Sequence, residues 1–270
     1  MNERVAVVTG ASSGLGKAIT LALRREGYHV IAGARSFSSA ENALGDGIVC
    51  LPLDVTDEKS VHAFIQQALH TGKRIDLLVN CAGILCMGAC EEIPISEFKR
   101  VMETNYVGMV RVIQELLPHF RQNKKGRIVN LSSINGLLGI PFQSVYTASK
   151  HAIEGYSECL QMEVKPFKIE VMVVEPGDHR GGSHAYRGHI KKDNSPYDKS
   201  REHAVQTIKR DEGSGSDPNA LGRKLARVLR RKRLPFRLII ADPLQRAIAC
   251  LHKLLPARLL MVVLRKYYMG

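Results

Sequence analysis

Short apolar runs alternate along the chain with longer stretches in which apolar residues recur every three or four positions. Val5 to Thr9, Tyr28 to Gly33, Ile48 to Leu53, Ile75 to Asn80, Arg127 to Leu131 and Ile169 to Glu175 are rich in Val, Ile and Leu. They show little polar alternation, which predicts strands buried on both faces, as in a parallel sheet covered by helices. Between them, helical periodicity predicts helices from Leu15 to about Glu26, over 57–71, from about Ser96 to Arg121 and over 144–164. Strand and helix alternating at this spacing read as right-handed βαβ units. The fold class expected is α/β: a doubly wound, mostly parallel sheet with helices on both faces.

The alternation breaks at Pro176-Gly177. Residues 178–219 are polar and carry Gly181-Gly182, Ser195-Pro196 and Gly213-Ser214-Gly215-Ser216, predicting a long excursion with short helices that serves as a lid. A basic helix at about 218–232 and a short strand, Phe236 to Ala241, follow. Leu244, Ala247, Ile248, Leu251, Leu254 and Leu255 then recur at helical spacing. The division expected is a main domain over 1–242, with the 178–219 lid inside it, and a basic amphipathic helical tail over 243–270.

Composition narrows the class. The 270 residues are 44% hydrophobic and 24% charged, enough for one sizeable core. The six cysteines (Cys50, Cys81, Cys86, Cys90, Cys159, Cys250) form no C-x-x-C pair, and their spacing matches no common zinc pattern, so reduced thiols and no metal are expected. Met1-Asn2-Glu3-Arg4 runs directly into a strand pattern rather than a signal peptide, and no uncharged apolar run reaches the length of a membrane span. A cytoplasmic location is the expectation.

The net charge of +13 is unevenly placed: residues 221–270 hold thirteen Lys and Arg against a single acid, Asp242. Arg230-Arg231-Lys232-Arg233 has no accompanying recognition motif, so nucleic acid is not an expected partner. The tail from Leu254 to Tyr268 mixes Leu, Met and Val with Arg258, Arg265 and Lys266 and two terminal tyrosines. That composition suits an interfacial helix on anionic lipid, at the surface of a membrane. It equally suits a helix packed on the core or on another subunit.

Thr9-Gly10-Ala11-Ser12-Ser13-Gly14-Leu15-Gly16 joins the first strand to the first helix. Gly10 lets the chain turn off the strand, Gly14 lets backbone approach a diphosphate, and Gly16 lets helix and strand pack closely. The helix N-terminus offers free N–H groups and a positive dipole end to phosphate, the signature of a Rossmann-like dinucleotide site. At the end of the second strand, where an acid would take the ribose 2′-OH of NAD, stand Ala34 and Arg35. A guanidinium there matches a 2′-phosphate, which favours NADP(H) over NAD(H).

Tyr146-Thr147-Ala148-Ser149-Lys150 places a phenol and an ammonium four residues apart on one helical face. An ammonium there is expected to lower the phenol's pKa from near 10 toward neutrality. Ser133 lies at the end of the fifth strand, where ligand sites of open α/β sheets gather.

Taken together, Thr9-Gly10…Gly14-Leu15-Gly16, Asn80-Cys81-Ala82-Gly83, Asn105, Ser133, Tyr146…Lys150 and Pro176-Gly177 resemble the short-chain dehydrogenase/reductase family, in its order and at its spacings, over about residues 4 to 180. The resemblance implies a catalytic set of Asn105, Ser133, Tyr146 and Lys150. Tyr146 would act as general acid in reduction or base in oxidation, Lys150 would lower its pKa and bind the nicotinamide ribose, Ser133 would polarise the carbonyl, and Asn105 would hold a water linking Lys150 to solvent. It further implies a cofactor set of Gly10, Ser12, Ser13, Gly14, Leu15, Gly16, Arg35, Asp54, Val55, Asn80, Ala82, Gly83, Tyr146, Lys150, Pro176 and Gly177. Asp54 and Val55 would border the adenine, Asn80, Ala82 and Gly83 the adenosine ribose, and Pro176-Gly177 the nicotinamide. Two departures stand out: Cys81 where the family often has a second Asn, and Gly181 where it often has a carboxamide-binding Thr.

Gly136-Leu137-Leu138-Gly139-Ile140-Pro141-Phe142 and Pro166-Phe167 resemble the 17β-hydroxysteroid and retinol dehydrogenase branch, which implies an extended lipophilic substrate. The expectation is an NADPH-dependent oxidoreductase reducing a ketone or aldehyde on a steroid, retinoid or keto-lipid, and family members are usually homo-oligomers. Two alternatives stay open: an NAD(P)-dependent alcohol dehydrogenase running in the oxidative direction, and a nucleotide-sensing scaffold that recruits a membrane or an acidic partner.

Overall fold

In the computed structural model, which describes residues 4–38, 44–70, 74–180, 187–251 and 254–270, the apolar runs become strands. These are β1 (Arg4–Thr9), β2 (Tyr28–Ala34), β3 (Ile48–Pro52), β4 (Ile75–Asn80), a short β5 (Leu85–Met87), β6 (Gly126–Leu131), β7 (Ile169–Pro176), a short β8 (Arg187–His189) and β9 (Arg237–Ile240). The helices are α1 (Gly14–Arg25), α2 (Glu58–His70), α3 (Ile95–Met102), α4 (Gly108–Gln122), α5 (Ser144–Val164), α6 (Asp198–Ser214), α7 (Pro218–Val228), α8 (Pro243–Leu251) and α9 (Ala257–Met269).

Seven strands form one parallel sheet in the order β3-β2-β1-β4-β6-β7-β9. The chain winds outward from β1 to β3, then crosses back to β4 and winds the other way, so the order reverses between β1 and β4. A crevice opens at the carboxyl ends of the strands at such a reversal. The register aligns those ends: Thr9 lies beside Gly33, Asn80 beside Asn130, and Pro176 beside Ile240.

Each face of the sheet is sealed by an apolar layer. On one side Phe64 and Ile65 of α2, Ile113, Leu116 and Phe120 of α4 and Leu160 of α5 pack on Val7, Leu78 and Ile128. On the other, Ile19 and Leu23 of α1 and Leu221 and Leu225 of α7 cover Val8, Leu77 and Val129. Full burial of each such side chain contributes roughly 1.5–3 kcal/mol, which is why strands apolar on both faces settle here.

Two departures from the sequence reading, and one placement that it left open for the tail, concern the walls of the crevice. The helix expected without interruption from about Ser96 to Arg121 contains a π-helical turn, Glu103–Val107, between α3 and α4. Among its described residues the polar excursion holds one long helix, α6, in place of several short ones, and β8 pairs in parallel with β5 over Leu85↔Arg187 to Met87↔His189. The tail folds back: Leu264 and Tyr268 of α9 are buried in an apolar cluster with Ala204 and Ile208 of α6 and Ile140 and Phe142 of the loop before α5. Much of its remaining surface stays open, with Leu259, Met261, Val262 and Val263 each at least half exposed.

Candidate active site

A cavity of about 400 Å³ occupies the crevice and collects most of the residues singled out in the sequence. Its first wall is the turn from β1 into α1. Gly10 has φ +66° and Gly14 φ +51°, conformations that residues with a Cβ rarely adopt. A Cβ on Gly16 would lie 2.0 Å from the Gly10 carbonyl oxygen, so glycine alone fits where helix and turn touch. Ser13 precedes α1 in an extended conformation without capping the helix by its side chain, and the first turn holds no acid. Backbone N–H groups at this helix end therefore face the cavity, a ready site for a diphosphate. Gly10, Ser12, Ser13, Gly14, Leu15 and Gly16 all line it.

Arg35, Asp54 and Val55 line the same cavity beyond the ends of β2 and β3. Burial pushes the Asp54 carboxyl up, but hydrogen bonds from the Thr56 N–H and hydroxyl, with the Arg35 charge nearby, hold it below its usual range. Thr9 clamps the next segment: its Oγ1 accepts hydrogen bonds from the N–H groups of Cys81 and Ala82, each at 3.1 Å. Ala82 and Gly83 reach the cavity. The Asn80 side chain does not: it donates to Asn130 Oδ1 at 2.9 Å, and Asn130 donates in turn to Ser157 Oγ, tying β4, β6 and α5 together. A side chain committed to that buried chain of amides supports the sheet end and cannot reach the ribose.

Asn105 sits in the π-helical turn and is 1% exposed. Its Nδ2 donates to the Ile84 carbonyl and to Ser149 Oγ, and its Oδ1 accepts from the Ile84 N–H at 2.8 Å. Asn105 thus pins the segment after β4 against α5 and stands behind the wall of the main cavity. A π-helical turn at such a position is a recurrent feature of functional sites.

Ser133, Tyr146 and Lys150 do converge. Ser133 lies just past the end of β6, and its Oγ accepts from the Asn135 N–H at 3.2 Å and is hydrogen-bonded to the Tyr146 hydroxyl. Lys150, one turn along α5, places Nζ 5.4 Å from the Tyr146 ring centroid and donates to the Leu131 carbonyl at 2.7 Å. Burial pushes the Tyr146 phenol up to about 12, outweighing the Ser133 hydrogen bond, and the same burial brings Lys150 down to about 8. Burial therefore works against the lowering of the phenol expected from the Tyr–Lys spacing. The low-dielectric wall disfavours both charges, so phenol and ammonium each retain their proton at neutral pH.

Pro176 and Gly177 line the far end, where the Gly177 N–H donates to the Ile240 carbonyl at 2.9 Å. Gly181 lies outside the described residues. The remaining lining residues were not singled out individually, although Asp178, Ile208 and Glu212 fall within the 178–219 excursion expected as a lid. Asn135 and Gln143 bond each other beside Ser133, with Asn135 Nδ2 3.0 Å from Gln143 Oε1. Asp178 enters after Pro176-Gly177, bonded to Gln245, and burial raises its carboxyl to about 6. Ile208 and Glu212 come from α6, with Glu212 paired to Arg187, and Tyr268 comes from the C-terminal helix. The segments of Asp178, Ile208, Glu212 and Tyr268 are far from Tyr146 in sequence, so no local spacing announces which of their side chains line the cavity.

A glycine cradle for a diphosphate, continuous with a Ser, Tyr and Lys group beside the strand ends, fits a nicotinamide dinucleotide. It defines an oxidoreductase acting between CH–OH and C=O. Comparison with known proteins agrees. Residues 4–186 match the family model for short chain dehydrogenases. The chain is 36% identical over 270 residues to a 3-ketodihydrosphingosine reductase of Bacteroides thetaiotaomicron, covering 99% of both. Its fold superposes with a TM-score of 0.79 on a short-chain dehydrogenase from Streptomyces avermitilis, 30% identical, covering 94% of this chain and 97% of that one. A short-chain dehydrogenase/reductase from Burkholderia phymatum in complex with NAD shares the fold at a TM-score of 0.81 and 22% identity, covering 93% and 94%, and a further neighbour has NADP bound. The chain belongs to the short-chain dehydrogenase/reductase family.

Proposed function

We propose that this protein is an NADPH-dependent reductase of a ketone or aldehyde on a lipophilic substrate, a long-chain keto-lipid above all. The observation that carries the reading is the Tyr146 phenol: buried, raised to about 12 and hydrogen-bonded to Ser133 at the end of a dinucleotide cradle. A protonated phenol at this position can donate its proton to a developing alkoxide in reduction. When bound, the dinucleotide supplies the hydride. Ser133 orients the substrate oxygen, and Tyr146 delivers its proton to that oxygen as negative charge develops there. Lys150, still an ammonium at neutral pH, stabilises the phenolate left behind. Asn105 positions the segment after β4 and, through Ser149, the helix that bears Tyr146. The same residues run the reverse reaction, so the cellular cofactor ratio sets direction.

The preference for NADPH rests on Arg35, which is exposed, lines the cavity and follows Ala34, with no acid at the ribose position. The lipid reading rests on the apolar lining supplied by Leu85, Ile140 and Ile208 and on the full-length likeness to a protein named for a keto-lipid. The exposed surface of α9, with Arg258, Arg265 and Lys266 among its exposed apolar residues, supports contact with an anionic membrane surface.

Replacing Tyr146 with Phe tests the core of the proposal. Reduction of a long-chain 3-ketone, followed by NADPH absorbance, should fall roughly a thousandfold, with NADPH affinity retained. Turnover within tenfold of the wild type would refute Tyr146 as proton donor. For the cofactor, Arg35→Ala should lower NADPH affinity roughly tenfold or more and leave NADH affinity nearly unchanged. A wild type without preference between the two would end that reading.

A further inference from the structure

We infer that the groove between α9 and the start of α5 is a binding site for the alkyl chain of the substrate. The inference rests on the lipophilic-substrate reading and adds where the chain goes. The catalytic cavity holds about 400 Å³, and its lining runs from the Gly10–Gly16 cradle to Tyr146. A dinucleotide and a reacting carbonyl must share that space, so a long alkyl chain has to extend beyond it.

A surface groove of about 610 Å³ lies beside α9 and shares Ile140 with the catalytic cavity. Its lining is mainly apolar: Ile140 and Pro141 from the loop before α5, Ala148 on α5, and Met261, Leu264 and Met269 on α9. Gly139 adds room, since a Cβ there would meet nothing within 4 Å.

Two features join this groove to the reaction centre. Ile140 lines both cavities. On α9, Leu264 faces the groove, and Tyr268, one helical turn further, faces the catalytic cavity. The groove therefore adjoins the part of the catalytic cavity lined by Ile140 and Tyr268. Thr147, the residue after Tyr146, stands in its wall.

The outer end opens beside Met261, which is 60% exposed, next to Val262 at 62% and Leu259 at 50%. Arg265 stands at that rim, with Arg258 and Lys266 on the same helix, so the mouth is an apolar patch fringed by cations. That fringe complements anionic headgroups, and a chain can pass from lipid to the groove without crossing water. The occupant is the saturated tail of a single-chain amphiphile whose carbonyl lies near its polar end.

The test compares two methyl 3-oxoalkanoates that differ by about ten methylenes, as substrates for the full-length enzyme with NADPH. The wild type should prefer the long one at least about tenfold in kcat/KM. Met261→Asp and Ala148→Trp should each cut that long-to-short ratio by roughly tenfold, because a few methylenes lose their apolar contacts, whereas Met261→Leu should restore it. NADPH affinity within twofold of the wild type certifies that each variant is folded. A ratio unchanged within twofold in both Met261→Asp and Ala148→Trp overturns the groove alone. Failure of the wild type to reduce either ester overturns the groove together with the lipid reading beneath it.

Discussion

Arg237 offers the sharpest test of how the far end of the site is held. It lies on β9, and its guanidinium bonds three carboxylates at once: Nη1 to Glu154 and Glu175, the latter at 2.6 Å, and Nη2 to Glu158 at 2.6 Å. Glu175 is fully buried and Glu154 nearly so, whereas Glu158 is about half exposed. Arg237→Met keeps the length and removes the charge. Two buried carboxylates then lose their shared cation, for which the expected cost is about 3–5 kcal/mol near neutral pH. That is a large part of a typical domain's total stability. Glu154 is already raised by burial, and without the guanidinium its carboxyl rises further above its unfolded value. Groups raised in the folded state bind protons more readily there than in the unfolded chain. The deficit is therefore full above the raised folded pKa values and shrinks as pH falls through them. Urea unfolding of wild type and variant at about pH 7 and about pH 5 measures both numbers. Glu175 precedes Pro176-Gly177, so NADPH affinity should fall in parallel. A deficit below about 1 kcal/mol at neutral pH, or one that grows on acidification, would refute the reasoning.

Lys150 should behave in the opposite sense. Its ammonium is buried and held at about 8 against an ordinary 10.5, so the unfolded chain binds the proton more readily between those values and stability rises with pH across that window. Lys150→Met should therefore unfold at higher urea concentration than the wild type near neutral pH, by up to about 3 kcal/mol, with the gain fading toward pH 10.5. A less stable variant, or a gain independent of pH, would show that the ammonium is compensated where it sits. Gly16→Ala would force a Cβ to 2.0 Å from the Gly10 carbonyl oxygen. We expect a loss of about 3 kcal/mol, a drop in Tm of roughly 6–12 °C and a weakened NADPH complex; an unchanged Tm would mean that the turn yields without strain.

The pattern of apolar runs predicted every strand of the central sheet to within a residue or two, because a strand buried on both faces has to be apolar throughout. The same reading missed β5 and β8. Each is three residues long, too short for any periodicity, and each exists only because the other, about a hundred positions away, supplies its hydrogen bonds. The π-helical turn was equally hidden, since one extra residue in a helix barely disturbs its apolar repeat. The length of helix α6 was hidden, and short helices were expected in its place, because few of its side chains face a core and Gly213-Ser214-Gly215-Ser216 at its end has the composition of a linker.

What the chain's order alone determined is local and chemical. Glycines occur where a backbone must turn and approach a phosphate, Tyr146 and Lys150 stand one helical turn apart, and Ser133 follows a strand, because turn, helix and strand geometry act over a few residues. Only packing across the whole molecule decided which of these groups face the cavity. It turned Asn80 toward Asn130, set Asn105 behind the wall, brought Asp178, Glu212 and Tyr268 into the lining, and raised the Tyr146 phenol where a neighbouring ammonium had promised to lower it. Burial is a property of everything that surrounds a side chain, and no spacing along the chain records it.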